Sequence, residues 1–287
     1  MGCKSRPTPP TYKTRNWPAY NEELKRRGSL TIWFDPEIIW EATLTCRRGR
    51  QQTYSDPAIQ TCFSMKVLFG MALRQTTGFV ESLLRLVGVN WKVPDFSTLS
   101  RRQKTLAVKV PYRDSTGPLH LLIDSTGIKV EGEGEWHARK HGGPKRRVWR
   151  KIHLGIDEKT MEVRAVEITG SHIGDAPILP DLLSQIPAEE QIGSVTADGD
   201  YDTRYCHDAI ARNEALRASR YLGRAIWRNW SGYYRRSRVE TKMHCMKLLG
   251  QRLMARDFDR QVAEVQIRIA FMNGYTALGI PVTEAVG

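Results

Sequence analysis

The chain has 287 residues, 44 Lys and Arg against 31 Asp and Glu, a formal net charge of +13 and a sequence pI near 9.7. That surplus favours polyanionic partners, nucleic acid before an acidic membrane surface, and the length allows a small domain beside a medium one. No apolar run is long enough to span a bilayer, the N-terminus lacks the apolar core of a secretory signal, and Arg6 stands where a myristoylation pattern wants a hydroxyl, so a cytoplasmic, nucleoid-associated protein is expected.

Residues 1–110 carry 18 Lys and Arg against 8 Asp and Glu, which makes the front of the chain the expected DNA-docking part. Apolar residues recur at helical spacing over 57–75 (Ile59, Cys62, Phe63, Val67) and 77–88 (Phe79, Leu83, Leu84, Val87). A third helix is predicted over 96–106, capped by Asp95 or Ser97, with Leu99 facing inward. Its Ser100, Arg101, Arg102 and Lys104 are left for an anionic surface, an arrangement that resembles a helix-turn-helix. A helical bundle with a merely solvated basic face fits the same residues, and no base-contacting residue can be named from them.

After Pro118 the pattern changes. Residues 119–124 form an apolar run of strand length ending in Asp124, and a second strand is predicted over 127–133. Strands over 148–156 and 161–169 flank the polar turn Asp157-Glu158-Lys159-Thr160, the signature of a hairpin. A helix follows over 176–185, with Pro177 near its start, and then a strand over 192–198 that stops on Asp198. Two strands ending in carboxylates can bring those groups together on a rigid frame. The Asp-Ser-Thr-Gly motif occurs at both Asp114 and Asp124, and only the second closes an apolar strand; Asp200 and Asp202 compete with Asp198.

The stretch 233–247 contains no Gly or Pro and reads as helix. At ~100° per residue, Tyr233, Arg236, Glu240 and Lys247 fall within an arc of roughly 60°. Val239, Met243 and Met246 lie on an adjoining face suited to packing on a sheet. A plain Glu240–Arg236 pair on a solvated helix is the alternative.

These residues resemble the DDE transposases of bacterial insertion sequences, in the IS-five or IS-four group with its Y-x2-R-x3-E-x6-K signature. Tyr233, Arg236, Glu240 and Lys247 meet that spacing, Leu121-Leu122-Ile123-Asp124-Ser125-Thr126 resembles the first-aspartate block, and Asp198-Gly199-Asp200-Tyr201 resembles the second. The resemblance implies an α/β fold: an RNase H-like catalytic domain, a mixed sheet with helices, over 116–287, preceded by a mostly helical DNA-binding region over 1–115. It also implies Asp124, Asp198 and Glu240 as catalytic and metal-binding carboxylates. Cleaving a phosphodiester needs an activated water or 3′-hydroxyl and a stabilised leaving oxygen, which two Mg²⁺ ions supply, with Mn²⁺ as substitute. Tyr233, Arg236 and Lys247 are expected to contact DNA. Double-stranded DNA, as terminal inverted repeats and target, is the expected partner, bound by a homodimer or higher multimer.

Residues 139–151 hold seven Lys and Arg and no acid, including Lys145, Arg146 and Arg147, and read as a phosphate-contacting arm assisted by Trp136 and Trp149. His137 and His141 lack a third ligand nearby and join that arm rather than a zinc site. One departure stands out. The family usually carries another strand and a basic loop between its second aspartate and its glutamate, whereas only 41 residues separate Asp198 from Glu240 here. An internal deletion near 209–213 is expected, and with it a shortened sheet and an alternative role as an inactive, DNA-binding remnant.

Overall fold

A computed structural model describes residues 11–29, 38–43, 49, 51–113, 117–131, 148–201, 203–211 and 237–286. Tyr233, Arg236, residues 139–147 of the basic arm with Lys145, Arg146 and Arg147, and the 212–236 segment beyond the expected deletion junction lie outside them, whereas Trp149, Arg150 and Lys151 of that arm belong to a strand.

The first helix, α1 (Trp17–Arg26), follows a short strand, β1 (Thr11–Thr14), which pairs antiparallel with β7 (Thr283–Val286) near the other end of the chain. Three helices come next, and each boundary has a local cause. In α2 (Asp56–Leu68) the Ser55 hydroxyl accepts from the Ala58 N–H at 3.1 Å and Pro57 sits in the first turn, where its missing donor costs nothing. Helix α3 (Leu73–Val87) ends at Gly88 with φ 78°, a left-handed conformation that only glycine adopts without strain. Of the two capping candidates for α4 (Phe96–Arg102), Asp95 takes the part, accepting from the Thr98 N–H at 2.5 Å, while the Ser97 hydroxyl donates to Asp95. These helices bury Ile59, Cys62, Phe63, Leu83, Leu84 and Leu99 in one cluster.

The sheet follows. Strand β2 (Leu119–Val130) pairs antiparallel with β3 (Trp149–Asp157), which pairs antiparallel with β4 (Val163–Gly170). Strand β5 (Ile192–Thr196) lies parallel to β2, giving the order β4-β3-β2-β5, and the two-residue β6 (Arg252–Leu253) also pairs parallel with β2. The expected hairpin is there, its turn held by Asp157, whose carboxylate accepts from the N–H groups of Lys159 and Thr160 and from the Thr160 hydroxyl. The two strands expected over 119–124 and 127–133 are instead one twelve-residue strand. Gly127 is extended rather than turned, with the Trp149 ring packed over it. Asp124 therefore sits in mid-strand, not at a strand end.

Alternation along β2 divides the interior in two. Leu122, Ile128 and Val130 face α7 (Ser237–Leu248) and α8 (Phe258–Leu278), meeting Val239, Met243, Met246, Val265 and Ile269. Leu119, Leu121 and Ile123 face the opposite layer: a 3-10 turn (Ala176–Ile178), α5 (Leu179–Ser184) and α6 (Arg204–Ala211). Helix α8 also contributes Ile267 to the helical cluster, and Gln103 donates to the Arg260 carbonyl while Arg260 donates to that of Ser100. Among the described residues no helix is long and apolar enough to cross a membrane. This mixed sheet with helices on both faces is the RNase H-like α/β architecture expected for the catalytic part.

Candidate active site

The site is set by strand register. Leu122 pairs with Thr196 across the parallel β2–β5 ladder, two residues before Asp124 in β2 and two residues before Asp198, which lies past the end of β5. Asp124 is buried, and as an even-numbered β2 residue it shares the face that α7 covers. Its Oδ1 accepts from the Ser125 N–H at 2.8 Å. Asp198 leaves the end of β5, where its Oδ1 accepts from the Asp200 N–H at 2.9 Å and its carbonyl accepts from the Tyr201 N–H at 3.2 Å. Tyr201 is buried beside them. Burial pushes its phenol well above the ordinary value, and the negative charges of Asp175, Asp198 and Asp124 push it further.

Asp175 is the residue that sequence reasoning missed. One carboxylate oxygen each from Asp175, Asp198 and Asp200 lie within 4.8 Å of one another, a group that includes neither Asp124 nor Glu240. In the sequence Asp175 precedes Ala176-Pro177 and looks like a helix cap, but its side chain makes no capping bond. It turns to the sheet instead, accepting from the Ser125 hydroxyl at 3.1 Å and pairing with Lys151 Nζ at 2.6 Å and His153 Nδ1 at 3.3 Å. The one available signal was period-two alternation, which puts Lys151 and His153 on the same face of β3; nothing in it names their partner.

His153 is fully buried, and burial pulls its imidazole down to about 4 from an ordinary 6.5, with Lys151 lowering it further and Asp175 opposing. It is neutral near pH 7. Its Nε2 lies 3.0 Å from the Thr169 hydroxyl, and its Nδ1 lies 3.3 Å from the Tyr201 hydroxyl and from Asp175. A proton on Nδ1 facing the carboxylate, with Nε2 accepting from Thr169, satisfies this arrangement.

Glu240 stands in the first turn of α7, solvent-exposed, between the buried Val239 and the half-turn that holds Lys242 and Met243. Helix α7 runs along β2. Near its start Arg238 donates to the Glu158 carbonyl at 3.0 Å, and near its end Lys247 Nζ donates to the Thr126 hydroxyl at 2.7 Å. Lys247 thus reaches the strand two residues beyond Asp124. Of the two arginines expected on a DNA surface, Arg101 is exposed on α4, whereas Arg102 is turned inward, donating to the Tyr54 carbonyl at 2.9 Å and pairing with Asp56.

The donor set suits a hard divalent cation, because every candidate ligand atom is a carboxylate oxygen and none is sulfur or imidazole nitrogen. Asp175 is the exception in availability. Lys151 already pairs with it, Nζ to carboxylate at 2.6 Å.

Two family models, each described as a transposase DDE domain, match this chain, one over residues 25–133 and the other over 115–273, more than half of its length. DDE transposases are polynucleotidyl transferases that act on DNA with divalent metal ions, and the acidic group Asp175, Asp198 and Asp200 is compatible with that chemistry. The chain belongs to the DDE transposase family.

Proposed function

We propose that this chain cleaves DNA at the ends of an insertion sequence and joins the freed 3′ ends to target DNA, using Asp124, Asp198 and Glu240 as its metal-binding carboxylates and Mg²⁺ as its metal. The observation that supports this reading is the β2–β5 register, which pairs Leu122 with Thr196 two residues before Asp124 and Asp198, beside a helix that runs along β2. Bound Mg²⁺ would supply the activation of the attacking oxygen and the stabilisation of the leaving one. Asp124 is assigned the bridging position, with Asp198 and Glu240 each completing one ligand set. Lys247 holds Thr126 and offers positive charge beside Asp124 to a DNA phosphate. Tyr233 and Arg236, seven and four residues before Glu240 in the same signature, are assigned to DNA, as are Arg101 and the basic run with Lys145, Arg146 and Arg147. The Y-R-E-K signature supports placing the chain in the IS-five or IS-four group, and paired-end chemistry calls for a dimer or larger assembly.

A second reading has a specific observation in its favour. Among the described residues no strand pairs with the outer edge of β5, and its Gly193, Ser194 and Val195 are only half-buried. The short span between Asp198 and Glu240 fits the loss of a neighbouring strand, and a copy so shortened would bind element ends without cutting them. Purified protein incubated with DNA carrying the flanking terminal repeats and Mg²⁺ or Mn²⁺ separates the two. Nicking that disappears in Glu240→Gln and Asp124→Asn supports the transposase, whereas a mobility shift without cleavage supports the remnant.

A further inference from the structure

Outside the three carboxylates assigned to the metal, the most elaborate polar construction in the described residues is the one around Asp175. It is a carboxylate with a side chain only 3% exposed, reached from two strands at once: Ser125 on β2, and Lys151 and His153 on β3. A buried carboxylate and ammonium are costly to desolvate and are a poor means of gaining stability compared with apolar residues of the same shape. Their position is informative. Ser125 is adjacent to Asp124 and makes two bonds in opposite directions: its hydroxyl donates to Asp175 Oδ2 at 3.1 Å, and its N–H donates to Asp124 Oδ1 at 2.8 Å. On the other side an Asp175 oxygen lies within 4.8 Å of an Asp198 oxygen. Asp175 therefore bonds the residue that supports Asp124 and lies close to Asp198, while Lys151 offsets its charge.

We propose that Asp175 is a positioning residue of the metal centre: through Ser125 it fixes the Asp124 carboxylate, and by holding Lys151 it keeps that ammonium from competing with the metal for Asp198. The inference rests on the assignment of Asp124 and Asp198 as metal ligands. Two substitutions then act with opposite sign. Asp175→Asn releases the half-buried Lys151 ammonium to turn toward Asp198, whose carboxylate lies within 4.8 Å of that of Asp175, so metal affinity falls. Lys151→Met removes the competing cation and leaves Asp175 as an additional negative charge beside Asp198 and Asp200, so metal affinity rises. Both variants break the same buried pair and both lose stability. A merely structural role would move affinity in one direction only.

The experiment is Mn²⁺ titration of the full-length protein by calorimetry, with melting temperature recorded for each variant and no DNA present. Asp175→Asn is expected to bind Mn²⁺ roughly 10-fold more weakly, in the range found for groups that support metal ligands, and Lys151→Met several-fold more tightly. Ser125→Ala keeps the ion pair and breaks the link to Asp124; it is expected to weaken Mn²⁺ binding with little change in melting temperature, and it decides the matter if Asp175→Asn does not fold. Unchanged affinity in these variants, or affinity falling in both ion-pair variants in step with their melting temperatures, overturns the proposal. Wild-type protein that takes up no Mn²⁺, or takes it up equally well as Asp198→Asn, overturns the ligand assignment itself and this inference with it.

Discussion

Replacing His153 with glutamine tests the buried network through its dependence on pH. The imidazole is fully buried among Asp175, Tyr201 and Thr169, and burial holds it neutral down to about 4 where the unfolded chain takes its proton near 6.5. Between those values the unfolded state binds a proton that the folded state refuses, so stability is fully present above 6.5, declines as pH falls, and loses no more from this group below about 4. At ~1.4 kcal/mol for each pH unit, lowering the pH from about 7 to about 5 costs on the order of 2 kcal/mol through this residue alone. Urea unfolding of wild type and His153→Gln at both pH values isolates it, because every other titrating group is common to the two proteins. The glutamine variant starts less stable at pH 7 and is expected to lose about 2 kcal/mol less than wild type on acidification. Equal losses in the two proteins would refute the claim that His153 is held neutral by its surroundings.

Three further outcomes follow from the packing. Glu264 and Arg268 form a pair in α8 with side chains each 3% exposed; Glu264 accepts from the N–H groups of Met254 and Ala255, and Arg268 donates to the carbonyls of Gly250 and Arg252. Arg268→Met leaves that carboxylate unpaired and is expected to destabilise by ~3–5 kcal/mol in denaturant unfolding. Met243→Ala opens a void between α7 and the sheet and is expected to cost ~2–5 kcal/mol, with lower cleavage following the looser seating of Glu240. Arg101→Ala is expected to weaken DNA binding and reduce the slope of log affinity against log salt by about 1 without changing the melting temperature, whereas Arg102→Ala is expected to lower the melting temperature, since its guanidinium joins α4 to Tyr54 and Asp56.

What the sequence disclosed and what it withheld divide along a physical line. Helices whose apolar residues keep a single stripe were legible: Val239, Met243 and Met246 form the buried side of α7, and Ile59, Cys62 and Phe63 that of α2. The β3–β4 hairpin was legible because its turn chemistry is local, with Asp157 bonding only residues two and three further on. Helix α8 was not, although it is the longest element described. It is buried nearly all round, and its interior includes Gln261, Glu264, Arg268, Asn273 and Thr276, which break any apolar period. Those polar groups are tolerated because each meets a hydrogen-bond partner, near in sequence for Glu264 and far away for Asn273, which bonds both the N–H and the carbonyl of Val163. Asp175 was hidden for the same reason, since its partners lie 22 to 50 residues upstream on other strands.

The continuity of β2 was also illegible, and it leaves Asp124 within a strand rather than at its end. Strand β3 occupies one edge of β2 from Leu121 to Lys129. The other edge is paired by β5 as far as Leu122 and by β6 only from Lys129, so among the described residues the intervening stretch is free of strand pairing there. Asp124 falls in that interval. The Ser125 N–H, which in a complete ladder would bond a neighbouring strand, is instead satisfied by the Asp124 carboxylate itself. The interruption between β5 and β6 thus leaves this stretch of the β2 edge unpaired by a strand among the described residues, beside Asp124.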